Sequence, residues 1–283
     1  MDELRERLLE PHVTRRDALK FGAVALPCLA GSVLFFDWLT GLTDDGITAN
    51  AEPILPAYDP AAHRWGFVVD TTTCIGCGLC VGACKAENGV PPEPEYNRTW
   101  VERHTTTTDG VVHVDAPDGG IDGYDPEVAP VGVEVAAIAD TRFVPRLCMQ
   151  CENSPCTTVC PVGATYRTED GIILVDEDRC IGCGYCIVAC PYGARYIVPA
   201  GSETPRGVPG VVDKCTFCYH RITVGLRPAC VDACPVGARQ FGDLNDPDSP
   251  VSVALRDQPT TVLKPEQGTR PRVHYIGLER EVS

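Results

Sequence analysis

Cys180-Ile-Gly-Cys183-Gly-Tyr-Cys186-Ile-Val-Ala-Cys190-Pro191 is the stretch that decides the fold. Three cysteines stand with two residues in each gap, a fourth follows after three more, and proline closes the run. This is a ligand spacing of cubane [4Fe–4S] clusters. Three close thiolates on one tight loop reach three corners of one cube. Gly182 and Gly184 let the backbone turn sharply and aim its N–H groups at sulfur. The fourth cysteine, past the loop and on a short helix, points elsewhere, and in two-cluster arrangements such a cysteine ligates the other cluster.

Working outward, the same pattern recurs. Cys74-Ile-Gly-Cys77-Gly-Leu-Cys80-Val-Gly-Ala-Cys84 is nearly a copy, with Lys85 in place of the proline. Cys148, Cys151, Cys156 and Cys160 widen one gap, and Cys215, Cys218, Cys230 and Cys234 stretch it further. Three groups end alike, in Cys160-Pro-Val-Gly-Ala, Cys190-Pro-Tyr-Gly-Ala and Cys234-Pro-Val-Gly-Ala. The chain is an internal repeat of half-units. Of its 17 cysteines, all but Cys28 fall into these groups. The total matches the ligands of four cubanes, which makes the chain a carrier of electrons. Zinc ribbons use Cys-x-x-Cys pairs, but as two pairs rather than as a triplet plus one. Disulfide frameworks use even cysteine counts, but cysteines this close rarely bridge one another. Cys28, in the apolar Ala25-Leu26-Pro27-Cys28, reads as a small apolar residue.

With 283 residues, one or two domains are expected. Glycine (27) and proline (25) are abundant and aromatics scarce, so the core is modest. The clusters then supply cohesion, and the iron-free chain is expected to be largely unfolded or molten. A net charge of −15 argues against nucleic acid as a partner. No Ser-His-Asp set, paired-carboxylate motif or phosphate loop stands out. His113, His220 and His274 read as structural residues, since the thiolates leave no ligand wanting.

Thr14-Arg15-Arg16-Asp17-Ala18-Leu19-Lys20 precedes an apolar run over 21–36, the pattern of a twin-arginine export signal. Ala18 stands where that pattern usually has Phe, and residues 1–13 are unusually acidic. The route carries folded cargo, as cluster insertion before export demands. The alternative is a retained tether, for which a run interrupted by Pro27 and followed by Asp37 is short. Ala49-Asn50-Ala51 offers a cleavage site. The expected organisation is an N-terminal segment over 1–51, a linker over 52–64, a cluster domain over 65–250 with an insertion at about 104–141, and a tail over 251–283. Trp65-Gly-Phe-Val-Val-Asp70 and Gly171-Ile-Ile-Leu-Val-Asp176 read as strands leading into cysteine loops. Val111-Val-His-Val-Asp115 and Val133-Glu-Val-Ala-Ala-Ile138 read as strands of the insertion. The tail, polar and proline-bearing from Asn245, is expected to wrap a neighbour.

Cys148-Met-Gln-Cys-Glu-Asn-Ser-Pro-Cys156-Thr-Thr-Val-Cys-Pro-Val-Gly-Ala-Thr165 and Lys214-Cys-Thr-Phe-Cys-Tyr-His-Arg-Ile222, with Pro228-Ala-Cys-Val-Asp-Ala-Cys-Pro-Val-Gly-Ala-Arg239, resemble one family. It is the four-cluster electron-transfer subunit of molybdopterin oxidoreductases: the polysulfide, tetrathionate, dimethyl sulfoxide and arsenate reductase complexes and the related nitrite-reduction protein. The resemblance covers roughly residues 65–250. It implies an α+β fold of two interleaved dicluster ferredoxin-like modules, with a β-rich insertion and an irregular C-terminal tail. It implies four [4Fe–4S] clusters held by Cys74, Cys77, Cys80 and Cys234; by Cys215, Cys218, Cys230 and Cys84; by Cys148, Cys151, Cys156 and Cys190; and by Cys180, Cys183, Cys186 and Cys160. It further implies a molybdopterin catalytic subunit on one side and a membrane-embedded quinone-reacting subunit on the other, at the outer face of the cytoplasmic membrane. The chain itself is then a non-catalytic subunit. Hydrogenase and formate dehydrogenase complexes use overlapping motifs, and a diffusible polyferredoxin is the alternative of another class. Lys85, Arg195 and Arg239 follow three of the groups; cations near clusters favour the reduced state, the plain alternative being surface charge.

Overall fold

The computed structural model describes residues 58–125, 127–201 and 208–278. Its strands are β1 (Trp65–Asp70), β2 (Thr99–Thr107), β3 (Val112–Asp115), β4 (Ile138–Leu147), β5 (Thr165–Arg167), β6 (Ile173–Val175), β7 (Tyr196–Ile197), β8 (Val212–Asp213), β9 (Arg239–Asp243), β10 (Thr260–Thr261) and β11 (Val273–Ile276). Its α-helices are α1 (Leu79–Asn88), α2 (Pro155–Thr158), α3 (Tyr185–Val188), α4 (Tyr219–Ile222), α5 (Ala229–Asp232) and α6 (Pro250–Asp257). The export segment, the cleavage site, Cys28 and the first part of the linker, through residue 57, lie outside the described residues.

Trp65-Gly-Phe-Val-Val-Asp70 forms the strand its apolar run predicts, and the structure shows why the run is unbroken. Phe67, Val68 and Val69 are all fully buried, because both faces of β1 are covered. In the four-stranded sheet of order β10-β11-β1-β9, β1 pairs parallel with β11 and antiparallel with β9. On one face Val68 and Ile276 meet Val251 and Ala254 of α6. That helix is started by Ser249, whose side chain accepts from Ser252 N, with Pro250 at its first position. On the other face Phe67, Phe241, Val273 and Tyr275 pack with Phe217 and with Cys80, Cys148, Cys151, Cys215 and Cys230. Each large side chain buried there contributes about 1.5–3 kcal/mol, and the cysteines sit inside that same core.

The middle of the chain forms a second, smaller module. β5 pairs with β6 and β7 with β8, both antiparallel, and α2 packs on α3. The first and last cysteine groups therefore belong to the β1–β9 sheet and the second and third to this module, so the modules interleave in sequence. Between them stands the β-rich insertion, a three-stranded sheet of order β3-β2-β4. It is broader than expected, with β2 starting at Thr99 and β4 ending at Leu147.

Two readings change. Val133-Glu-Val-Ala-Ala-Ile138 is not a strand: Val135–Ala137 makes a 3-10 turn with Val135 exposed, and β4 starts only at Ile138. The tail is not irregular over its described residues. α6 spans the expected boundary at 250, and β11 completes the central sheet with Val273 and Tyr275 fully buried.

Candidate cluster sites

The cysteine loops are shaped by glycines held at positive φ. Gly78 (φ 74°) precedes α1, and a Cβ there would lie 2.2 Å from the Ile121 carbonyl oxygen. Gly182 (φ 65°) stands in the same relation to the Gly210 oxygen, at 2.2 Å. Only glycine combines that backbone with that approach. Each loop hands its third cysteine to a short helix or its start: Cys80 in α1, Cys156 in α2, Cys186 in α3 and Cys230 in α5.

The thiols meet across the sequence. Cys84, Cys215, Cys218 and Cys230 line one pocket, together with Phe67, Leu147 and Phe217. Burial drives the Cys84 thiol well above its ordinary pKa, and the nearby Cys230, Cys215 and Cys218 add to it. Burial likewise pushes Cys74 up to about 11, with Cys80 and Cys234 beside it. Cys151 rises to about 12, by burial first and then through Cys148, Cys156 and Cys190. Two of the four expected sets are thus drawn together whole, and of the set at Cys74 the thiols of Cys74, Cys80 and Cys234 are. For the fourth, Cys180 and Cys186 share an apolar cluster with Cys156, Ile173 and Val212. Cys160, on the adjoining loop, is pushed up by burial but held below its ordinary value overall by the N–H groups of Thr165, Val162 and Ala164.

This donor set suits an iron–sulfur cluster. All sixteen described cysteines are free of disulfides. Among the described residues no three or more Cys, His, Asp or Glu could hold a single metal ion, whereas a cubane takes its thiolates at separated corners. Thiols this buried give up their protons only to a strong local positive charge, which the iron supplies on binding. Backbone donors already face sulfur, Thr165 N to Cys160 Sγ and Phe217 N to Cys215 Sγ, both at 3.4 Å. Asn88 Nδ2 points at Cys84 and Cys218.

A 4Fe–4S dicluster domain model matches residues 73–164, and another of the same description matches residues 139–244. The putative iron-sulfur subunit of a dimethyl sulfoxide reductase from Halobacterium salinarum is 42% identical, over 76% of this chain and 80% of its own. A subunit of the tetrathionate reductase of Salmonella typhimurium is 41% identical (77% and 74%), and one of the polysulfide reductase of Wolinella succinogenes 36% (77% and 97%). The chain belongs to the four-cluster [4Fe–4S] electron-transfer subunits of molybdopterin oxidoreductases. Like the family, it carries four [4Fe–4S] clusters and relays electrons through them. The two matched spans overlap at residues 139–164 and otherwise follow the order of the chain, while β1 pairs with β9 and Cys84 faces Cys215; the spatial modules are the interleaved ones, because hydrogen bonds and buried contacts define them.

Of the cations noted in the sequence, Arg195 and Arg239 are buried among thiols. Lys85 is not. Its ammonium donates to the carbonyls of Pro91 (2.8 Å), Glu93 (3.0 Å) and Tyr96 (2.7 Å) and ties down the loop after α1. Two further cations escape a reading of the motifs. Lys214 is buried beside Cys215, and Arg98 is buried against Asp213 at 2.7 Å. The adjacency of Lys214 to Cys215 is the one signal of this in the sequence.

Proposed function

We propose that this subunit connects a molybdopterin catalytic subunit to a membrane-embedded quinone-reacting subunit. The ligand sets are Cys74, Cys77, Cys80 and Cys234; Cys84, Cys215, Cys218 and Cys230; Cys148, Cys151, Cys156 and Cys190; and Cys160, Cys180, Cys183 and Cys186. The observation that carries the reading is the convergence of Cys84, from the first group, with three cysteines of the last group around one cavity. When bound, the clusters supply one-electron redox chemistry.

The exposure of the thiols supports a relay with two accessible ends. Cys84, Cys215, Cys218 and Cys230 are all buried, as are Cys148, Cys151 and Cys156. Cys183 is exposed, and Cys74, Cys77, Cys160, Cys180 and Cys234 are partly so. The outermost loops carry exposed apolar side chains, Ile75 and Leu79 at one end and Ile181, Tyr185 and Val188 at the other. Such residues suit partner surfaces. Among the described residues no helix is long and apolar enough to cross a membrane, so membrane association is assigned to the partner or to the N-terminal segment. Arg15-Arg16 and the apolar run after them favour twin-arginine export to the outer face of the cytoplasmic membrane.

Purification from native membranes in mild detergent, with mass spectrometry of the co-purifying chains, tests the reading. A large pterin-binding subunit together with a polytopic membrane protein is expected. A hydrogenase or formate dehydrogenase subunit would change the partner, and recovery of this chain alone in the soluble fraction would favour a diffusible polyferredoxin. Cys183→Ser is expected to remove one cluster, lowering iron from about 16 per chain, at four per cluster.

A further inference from the structure

We propose that three buried cations, Arg239, Lys214 and Arg195, stand one at each junction between successive cluster sites, and that each sets the potentials of the two clusters beside it together. The inference rests on the ligand sets proposed above and adds the charges between them.

Arg239 opens β9 and is 2% exposed. Its Nη2 donates to Thr99 Oγ1 at 2.8 Å, while Nε and Nη1 are buried without a partner. The thiols it faces are Cys80 and Cys74 of one outer set and Cys230 of the neighbouring inner set. Unused N–H groups in a core are costly, and sulfur on either side offers them acceptors. Lys214 is 1% exposed; its Nζ donates to the carbonyls of Ile173 and Cys215. It faces Cys148 and Cys156 of one inner set and Cys215 of the other. Arg195 is 5% exposed, and its Nη2 lies 2.9 Å from Cys156 Sγ. It faces Cys148, Cys156 and Cys190 of the inner set and Cys186 of the second outer set. The three cations thus order the sets into a line: Cys74, Cys215, Cys148, Cys183.

Among the described residues none of the three is ion-paired with a carboxylate. Arg98 shows the contrast, since Asp213 neutralises it. In a chain of net charge −15, these are positive charges placed in a low-dielectric interior, where Coulomb attraction to an added electron is strong. An electron that leaves one cluster for the next stays beside the same cation. The cation therefore raises both potentials while leaving the step between them little changed.

The test is a redox titration followed by electron paramagnetic resonance on the complete complex, for wild type, Arg239→Gln, Arg239→Lys, Lys214→Gln and Arg195→Gln, with iron measured first. Arg239→Gln is expected to lower the potentials of the clusters at Cys74 and Cys215 together, by about tenfold in each reduction equilibrium (about 59 mV for one electron). The other two clusters stay unmoved, and Arg239→Lys restores most of the shift. Arg195→Gln is expected to move the other pair. If one glutamine variant loses iron, the pairs flanking the remaining cations decide the matter. A shift confined to one cluster, spread over all four, or absent at full iron overturns the inference. Wild type holding fewer than four clusters would instead overturn the ligand sets.

Discussion

Arg98 donates through Nη1 to Oδ1 of Asn88 at 2.9 Å, and that bond fixes which way the Asn88 amide points. Its Nδ2 donates to the Cys84 carbonyl oxygen at 3.0 Å and also faces sulfur, 3.6 Å from Cys84 and 3.7 Å from Cys218. One amide thus reaches two thiols from the first and the last cysteine group. Hydrogen bonds to cluster sulfur favour the reduced, more negative state. Asn88→Ala is expected to lower the potential of the cluster held at Cys84 and Cys218, and to cost about 1–2 kcal/mol for the lost bonds. Redox titration and thermal melting check the two effects separately. An unmoved potential with a lowered melt would make the amide a packing residue only.

Gly78 and Gly110 both hold positive φ, 74° and 84°, but in different surroundings. A Cβ on Gly78 would meet the Ile121 and Gly120 carbonyl oxygens at 2.2 and 2.4 Å, whereas one on Gly110 would meet nothing within 4 Å. Gly110→Ala is therefore expected to cost only the backbone penalty, about 1 kcal/mol. Gly78→Ala must also push the insertion off the first cysteine loop, and is expected to lose iron from the cluster beside it. Iron content and melting of the two variants, compared side by side, check this; equal behaviour would mean that the insertion yields freely.

What the sequence made legible follows from how local each signal is. Cys180 to Cys190 carries its own loop geometry, and Trp65 to Asp70 its own apolar run, so both were readable in place. Val273 to Ile276 was not. It is four residues long, follows Arg270-Pro271-Arg272, and is a strand only because β1, some two hundred residues earlier, offers a parallel edge. Val133 to Ile138 misled because its valines suit a strand, but pairing with β2 begins only at Ile138 and the chain turns over Val135–Ala137 instead. Lys85 looked equivalent to Arg195 and Arg239 by position after a cysteine group. Three backbone carbonyls claim it, a tertiary fact with no trace in the motif.

His274 lies on β11 opposite Val68, half-buried in the central sheet. Burial holds its imidazole below the ordinary value, against a smaller opposing pull from Glu152. The folded state therefore takes up a proton less readily than the unfolded chain, whose histidine titrates near about 6.5. In that window the unfolded state binds more protons, so stability falls as pH drops below about 6.5 and recovers as pH rises. His274→Gln is expected to flatten this dependence. Melting temperatures of both proteins at about pH 7.5 and about pH 5.5, on either side of that value, check it: parallel losses would show that other groups carry the slope.

Four of the six α-helices among the described residues, α2 to α5, are only four residues long. Helices of that length do not persist alone, and each of the four lies within or directly after the start of a cysteine group. Their order must come from tertiary anchors, and the anchors nearest to them are thiols buried far from their ordinary titration range. Removing iron leaves either buried thiolates that repel one another or protonated thiols around an empty core such as the cavity at Cys84. Chelation of the iron under reducing, anaerobic conditions is expected to abolish cooperative melting and to expose apolar surface, while short-range strand pairing in the insertion sheet, which contains no cysteine, persists longest. Circular dichroism and hydrogen exchange of the iron-free chain check this. A native-like cooperative melt without iron would show that the β1–β9 sheet and its packed faces suffice, and that the clusters are passengers in a core that folds around them.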